Sequence, residues 1–284
     1  MTAAVFPNFE KNKAQETAVK VCECLHNMGM DIIGDSHYSS RLDMLSFVDF
    51  MQVNEAIDAS DVVIAIGGDG TILEYSECAA ELNKPLLGIN TGRLGFMASM
   101  ETDELHNLSR LISGDYEIEN RMMLNAELIH EDGSTEIFSA LNDIVVSRPY
   151  SKLVDYDVSV NGRSVSSLRA DGVVFSTPTG STAYALSAGG PILEPYLECI
   201  QYTPICPQSL SSRTMLFSTE HRLVLKHFSE NEDVYFSVDG KKARFMSYKD
   251  NLVISKSRKY LRLIDIKGFS FYDAVNNKLM KPIK

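Results

Sequence analysis

The chain has 284 residues, 44% hydrophobic and 23% charged, which supports one large or two ordinary globular domains with a sizeable core. With 38 acids against 27 bases the formal net charge is -11, which excludes broad nucleic-acid or anionic-membrane binding but allows one small anion held by local donors. The five cysteines follow neither zinc-ribbon nor disulfide spacing, no apolar run reaches membrane length and the start lacks a basic-then-apolar leader, so the sequence reads as soluble and cytoplasmic.

Ala3 to Phe9 reads as a short strand running into a loop. A helix follows, with Ala14, Ala18, Val21, Cys22 and Leu25 on one face and Gly29 at its stop; Cys22 and Cys24 fall inside it as packed thiols. Residues 31–34 form a second strand and Asp61 to Ile66 a third, apolar on both faces. Helical TILEYSECAAELN and strand PLLGIN, entered at Pro85, come next. Strands apolar on both faces and alternating with helices indicate a parallel sheet covered by helices. After about Tyr116 the pattern becomes β. Residues 123–148 read as two strands around a turn at Asp132-Gly133, and 153–178 repeat that arrangement around Asn161-Gly162, a strong hairpin signal. Segments 221–228, 233–245, 251–257 and 260–266 continue as strands, with Asp239-Gly240 as another turn. The tail returns to helical spacing at Phe271, Val275 and Leu279.

Chemistry concentrates in a few stretches. Gly67-Gly68-Asp69-Gly70-Thr71 follows an apolar strand and opens a helix, so it lies where open α/β sheets bind ligands. Glycines there let N–H groups approach phosphate, yet an acid stands where a phosphate loop carries lysine. Asp69 has three readings: a helix cap, an acceptor for the proton of a hydroxyl nucleophile, or a partner for Mg²⁺. In Asp171 to Ile192, Thr177, Thr179, Ser181 and Thr182 crowd with Gly180, Gly189 and Gly190 between apolar flanks. Such half-buried donors need partners, which a surface loop would find in water and a binding loop in a ligand. Asn142-Asp143 breaks an apolar run and reads as a bulge or turn, or as a satisfied polar pair. Asn90 to Met97, again just after a strand, reads either as a βα turn with Arg93 at the phosphates or as a turn alone. Pro204 and Pro207 fix an irregular late loop. The six histidines are scattered and carry no catalytic arrangement; metal ligands are left unassigned.

Together these residues resemble the NAD kinase family, which phosphorylates NAD to NADP. The likeness runs in order from Asp61: Gly67-Gly68-Asp69-Gly70, Asn90-Thr91-Gly92 with Leu94-Gly95-Phe96, Leu141-Asn142-Asp143, Asp171-Gly172, Ser176 to Ile192 and Cys206 to Arg213. A lone G-G-D-G also occurs in phosphofructokinases and lipid kinases, whereas T-P-T-G-S-T-A-Y-x-L-S-A-G-G-P is specific. The resemblance implies an α/β Rossmann-like domain at 1–117, a β-sandwich NAD-binding domain at 118–267, NAD held between the two, and a C-terminal helix at 268–284 packing on the first. It implies ATP as phosphoryl donor, Mg²⁺ on its phosphates, and Asp69 as general base toward the adenosine-ribose 2′-hydroxyl. Gly67, Gly68, Gly70 and Thr71 would form the phosphate loop, with Gly70 also at the ligand. Asn142 and Asp143 would bind the adenosine. Asp171, Thr182, Ala183, Tyr184, Ala185, Leu186 and Ser187 would line the dinucleotide site; Arg169 and the Cys206 main chain would also touch it. A homodimer or homotetramer is implied as well. Gln208 stands where the family usually has histidine, Thr214 where it has proline, and Glu74 where some relatives carry a base, departures that bear on donor recognition. The competing readings are a kinase of a lipid or sugar-phosphate hydroxyl and a dinucleotide sensor without turnover.

Overall fold

The computed structural model describes residues 1–11, 13–92, 95–149, 153–230, 233–268 and 271–280. They form two compact units, Met1–Asn120 with Lys259–Lys284, and Arg121–Arg258.

The first unit is α/β. In chain order it holds β1 (Thr2–Pro7), α1 (Ala14–Asn27), β2 (Asp31–Asp35), β3 (Val48–Met51), α2 (Val53–Ala59), β4 (Val62–Gly67), α3 (Asp69–Glu81), β5 (Pro85–Asn90), β6 (Met100–Glu101) and α4 (Ser109–Ser113). The strand order is β3-β2-β1-β4-β5, parallel throughout, with β6 beside the end of β5. Every residue of β4 is buried, as a strand covered on both faces requires. On α1 the spaced residues Ala14, Ala18, Val21, Cys22 and Leu25 are buried. Burial pushes the Cys22 thiol up to about 12, so it behaves as a packed apolar group. β3 and α2 lie where no element was expected. At four and seven residues they are too short for periodicity to register.

The second unit is antiparallel β. It takes most of β7 (Glu117–Ile129), then β8 (Thr135–Ala140), β9 (Asp143–Ser147), β10 (Val154–Val160), β11 (Arg163–Ala170), β12 (Gly172–Ser176), α5 (Tyr184–Ser187), β13 (Cys199–Ile205), β14 (Met215–Ser218), β15 (Leu223–His227), β16 (Val234–Val238), β17 (Arg244–Met246) and the first half of β18 (Asn251–Asp265). One layer runs β11-β10-β15-β18, and β7 pairs with β8. The other runs β14-β13-β12-β9-β16-β17. Side chains join the layers as in a sandwich. The hydroxyls of Ser166 and Tyr202 meet at 3.0 Å, and the Phe138 and Phe236 rings stand 5.4 Å apart. Asn161 and Gly162 both have positive φ, 52° and 76°, and join Val160 to Arg163 as a two-residue hairpin of the expected kind.

Four expectations need correction. Residues 123–148 contain three strands, because the chain turns a corner at Leu141-Asn142 and passes from β8 to β9. Residues 153–178 contain three strands, since β12 follows β11 after a break at Asp171. Pro204 lies inside β13 opposite Val173, so the irregular late loop begins only after Ile205. Segments 251–257 and 260–266 are one continuous strand, since polar residues near its middle do not break the extended backbone.

The second half of β18 belongs to the first unit, where Arg262 and Leu263 pair in parallel with Pro85 and Leu86. The tail forms α6 (Phe271–Val275) and a π-helical turn over Asn276–Met280, with the Lys278 ammonium 4.4 Å from the centroid of the Phe96 ring. Among the described residues no helix is long and apolar enough to cross a membrane.

Candidate active site

In the first unit the strands end together. Gly67 pairs with Asn90 in register, the Thr91 N–H donates to the Gly67 carbonyl at 2.9 Å, and the Asn8 N–H donates to Ile66 at 2.9 Å. The loop Gly67-Gly68 and the start of α3 therefore sit at the carboxyl edge of the sheet. Gly68 caps the helix, and Asp69 is its first residue. The capping alternative for Asp69 thus fails, because its carboxylate turns away from its own helix. It accepts N–H bonds from Phe96 at 2.8 Å and Met97 at 3.2 Å. A Cβ on Gly95 would stand 1.8 Å from Asp69 Oδ1, so the approach depends on glycine there. At Gly68 and Gly70 an added Cβ would meet nothing within 4 Å. The first turn of α3 therefore faces open room, the setting in which main-chain donors receive an anion. Asn90 closes its own turn, its amide bonding both main-chain groups of Gly92. Arg93, expected at phosphates, and Leu94 lie outside the described residues.

In the second unit the centre of interest is the corner Leu141-Asn142-Asp143. All three N–H groups donate to the carboxylate of Asp239: Leu141 at 2.8 Å to Oδ2, Asn142 at 2.7 Å and Asp143 at 3.0 Å to Oδ1. The Asp239 N–H returns a bond to the Asp143 carbonyl at 2.9 Å. From the other side the Thr177 hydroxyl donates to the Leu141 carbonyl at 2.6 Å, and the Thr177 N–H donates to the Asn142 carbonyl at 2.9 Å. Gly180 packs so closely that a Cβ there would come within 2.0 Å of the Asn142 carbonyl oxygen. Asp143 is 5% exposed. Burial, reinforced by the neighbouring Asp239 charge, pushes its carboxyl up to about 7, against an opposing N–H bond from Tyr184. Burial also raises the Asp239 carboxyl, while the N–H groups it accepts and Lys241 hold it down.

The hydroxyl-rich stretch corrects one inference. Its donors do not all wait for a ligand. The Ser181 hydroxyl donates to Pro178 at 2.6 Å and accepts from the Leu193 N–H at 2.9 Å, and the Thr182 hydroxyl donates to Thr179 at 3.2 Å. These hydroxyls build the loop that carries Ala183 to Ser187. Along it Tyr184 and Ser187 are exposed, Thr182, Ala183 and Leu186 half-buried, and Ala185 buried. The Asp143 carboxylate sits on the Tyr184 N–H, which joins this loop to the corner. Asp171 is half-buried, its N–H bonded to Ile205 at 3.1 Å. Arg169 is exposed and holds Asp155 with two bonds of 2.8 and 2.6 Å. The Gln208 N–H donates to the Arg169 carbonyl at 2.8 Å, which fastens the late loop beside it. Cys206, exposed, takes a left-handed φ of 45° at the start of that loop.

The sequence reading missed Asp239, Gly95 and the N–H groups of Phe96 and Met97. Asp239-Gly240 was legible only as a turn, and Asp239 does adopt a left-handed φ of 50°. Its bonds across 96 to 98 positions leave no local signal.

An α/β unit whose glycine loop presents a single carboxylate at its carboxyl edge, followed by a β-sandwich with a rigid polar corner, defines a phosphoryl-transferring enzyme of the acid-bearing kind. Comparison gives the family. The ATP-NAD kinase N-terminal domain matches residues 4–116 and the ATP-NAD kinase C-terminal domain residues 141–266. The NAD kinase of Caldanaerobacter subterraneus subsp. tengcongensis is 38% identical over 277 residues, 97% of each chain. That of Symbiobacterium thermophilum is 39% identical over 221 residues, 77% of this chain and 78% of its own. Among solved structures, yeast NADH kinase complexed with NADH superposes with a TM-score of 0.89 at 25% identity, over 99% of this chain and 87% of its own. An Archaeoglobus fulgidus NAD kinase in complex with ATP gives 0.77 at 26% identity, over 99% of both. The chain belongs to the NAD kinase family, and its activity is that of a kinase phosphorylating NAD. The lipid-kinase, sugar-phosphate-kinase and sensor readings fall away.

Proposed function

We propose that the enzyme transfers the γ-phosphoryl group of ATP to the 2′-hydroxyl of the adenosine ribose of NAD, with Asp69 as the base. The O2′–Pγ bond forms while the bond from Pγ to the β,γ-bridging oxygen breaks. Its electron pair leaves on ADP, the hydroxyl proton passes to Asp69, and NADP results. A carboxylate is a far weaker base than an alkoxide, so the proton moves as the new bond forms and not before.

The observation that carries this reading is the carriage of Asp69. Two N–H groups fix its two oxygens, one bond each, out of about four lone-pair positions, so each oxygen keeps capacity for a hydroxyl. Gly67, Gly68, Gly70 and Thr71 form the phosphate loop, supported by the open room at Gly68 and Gly70. Asn142 and Asp143 bind the adenosine. A carboxyl raised to about 7 offers a donor beside its acceptors near neutral pH, which suits the mixed edge of adenine. Asp171 and Thr182 to Ser187 line the dinucleotide, and Arg169 and the Cys206 main chain contact it. Mg²⁺ arrives with ATP and offsets phosphate charge. Among the described residues the close carboxylate trio is Glu101, Asp103 and Glu104, and Lys267 already bonds Glu104 there. The enzyme works in the cytoplasm, as its five free thiols suit, and as a homodimer or homotetramer.

The test is Asp69→Asn, assayed for NADP formation from Mg·ATP and NAD. Turnover is expected to fall by about 10²- to 10⁴-fold with fold and NAD affinity retained. Near wild-type turnover removes Asp69 from the mechanism.

A further inference from the structure

Asn142 is the polar side chain at the tip of the sandwich corner, and every hydrogen bond that fixes it falls on its main chain. Its side-chain amide stays uncommitted among the described residues. Such an arrangement presents a side chain at a set angle while its own donors and acceptors wait for a ligand. What sets the angle is not local sequence. Asp239 gathers three successive N–H groups on one carboxylate, and Thr177 with Gly180 closes on the carbonyls behind them.

The position of Asp239 follows from the sheet. β16 pairs with β9 so that Val238 faces Ile144 and Ser237 faces Val145. The next residue along β16 therefore arrives beside Asp143. Its left-handed φ turns the chain out of the ladder there and brings the carboxylate under the corner. Charged acceptors make stronger bonds to N–H groups than neutral ones. An amide or hydroxyl at this position could not accept three N–H bonds as well.

We infer that Asp239 is a positioning residue for NAD: by clamping the three N–H groups of Leu141-Asn142-Asp143, it aims the Asn142 side chain at the adenosine. The inference rests on the reading that Asn142 contacts NAD. It adds that the Asn142 side chain is positioned by a residue 97 positions later.

The test is a double-mutant cycle on the full-length protein, with NAD affinity by titration calorimetry and KM for NAD and ATP as readouts. Asn142→Ala and Asp239→Asn are each expected to weaken NAD binding by about tenfold or more, since a misplacement of about 1 Å is that costly. The pair together is expected to be no worse than the weaker single variant, because both remove one interaction. KM for ATP stays near wild type in D239N, which a general loss of structure would not allow. Additive losses, or unchanged NAD affinity in D239N, overturn the role of Asp239. Unchanged affinity in N142A instead removes the Asn142 contact, and with it the reading beneath. If D239N does not fold, Thr177→Val deletes the hydroxyl on the opposite side of the same corner and carries the cycle. Non-additivity with N142A supports the aimed corner, and additivity overturns it.

Discussion

Asp69 and Asp239 are two uses of one device. Each is an acid that takes hydrogen bonds from the main chain of another segment: Phe96 and Met97 for Asp69, Leu141, Asn142 and Asp143 for Asp239. They differ in how much of the carboxylate is spent. Two N–H groups leave Asp69 capacity for chemistry, whereas three commit Asp239 to architecture. Distance along the chain differs as well, 27 or 28 residues in one case and up to 98 in the other. The acid proposed as the base is thus held by its near neighbourhood, and the acid inferred to support the corner is brought from far along the chain.

The contrast can be broken at the segments that receive the acids. Gly95→Ala places a Cβ against Asp69 Oδ1, and the carboxylate must move because it is the free end of a side chain. Turnover is expected to fall by about 10²-fold with NAD affinity and melting temperature little changed; an equal loss of affinity would show that the two acids are not separable. Gly180→Ala has the opposite signature. There the Cβ meets the Asn142 carbonyl, which the Thr177 N–H also holds, so relief requires main-chain movement. A loss of about 1–3 kcal/mol in denaturant unfolding is expected, together with weaker NAD binding. Wild-type stability would mean that the corner yields easily.

The remaining effect concerns pH. A carboxyl raised in the fold binds its proton more tightly there than in the unfolded chain. Asp143 therefore lowers stability as pH rises from about 4 to about 7. Asp143→Asn is expected to flatten that part of the stability profile by up to a few kcal/mol, the protonated form being the one it mimics. An unchanged slope would place the titration elsewhere.

Much of the first unit was legible because β4 is buried along its whole length and α1 shows a helical stripe, both direct prints of packing on sequence. Gly67 to Thr71 could be located from the strand that delivers it. What could not be read was what a residue's hydrogen bonds do once formed. Thr182 and Ser181 looked like waiting donors and are loop builders. Asp69 could be read as a cap, a proton acceptor or a partner for Mg²⁺, and its carboxylate reaches another loop. Asp239 looked like half of a turn and is also the support of a corner. Polar side chains choose partners in three dimensions, and no periodicity records that choice.

The reach of Asp239 also orders events during synthesis. The corner bearing Asn142 leaves the ribosome 97 residues before the acid that completes it, while Asp69 meets the Phe96 amide after only 27. Closing the longer loop costs about 1 kcal/mol more chain entropy. The bond between Asp69 and Phe96 is thus within early reach of a growing chain, and the corner at Asn142 is fastened only once residue 239 has been made.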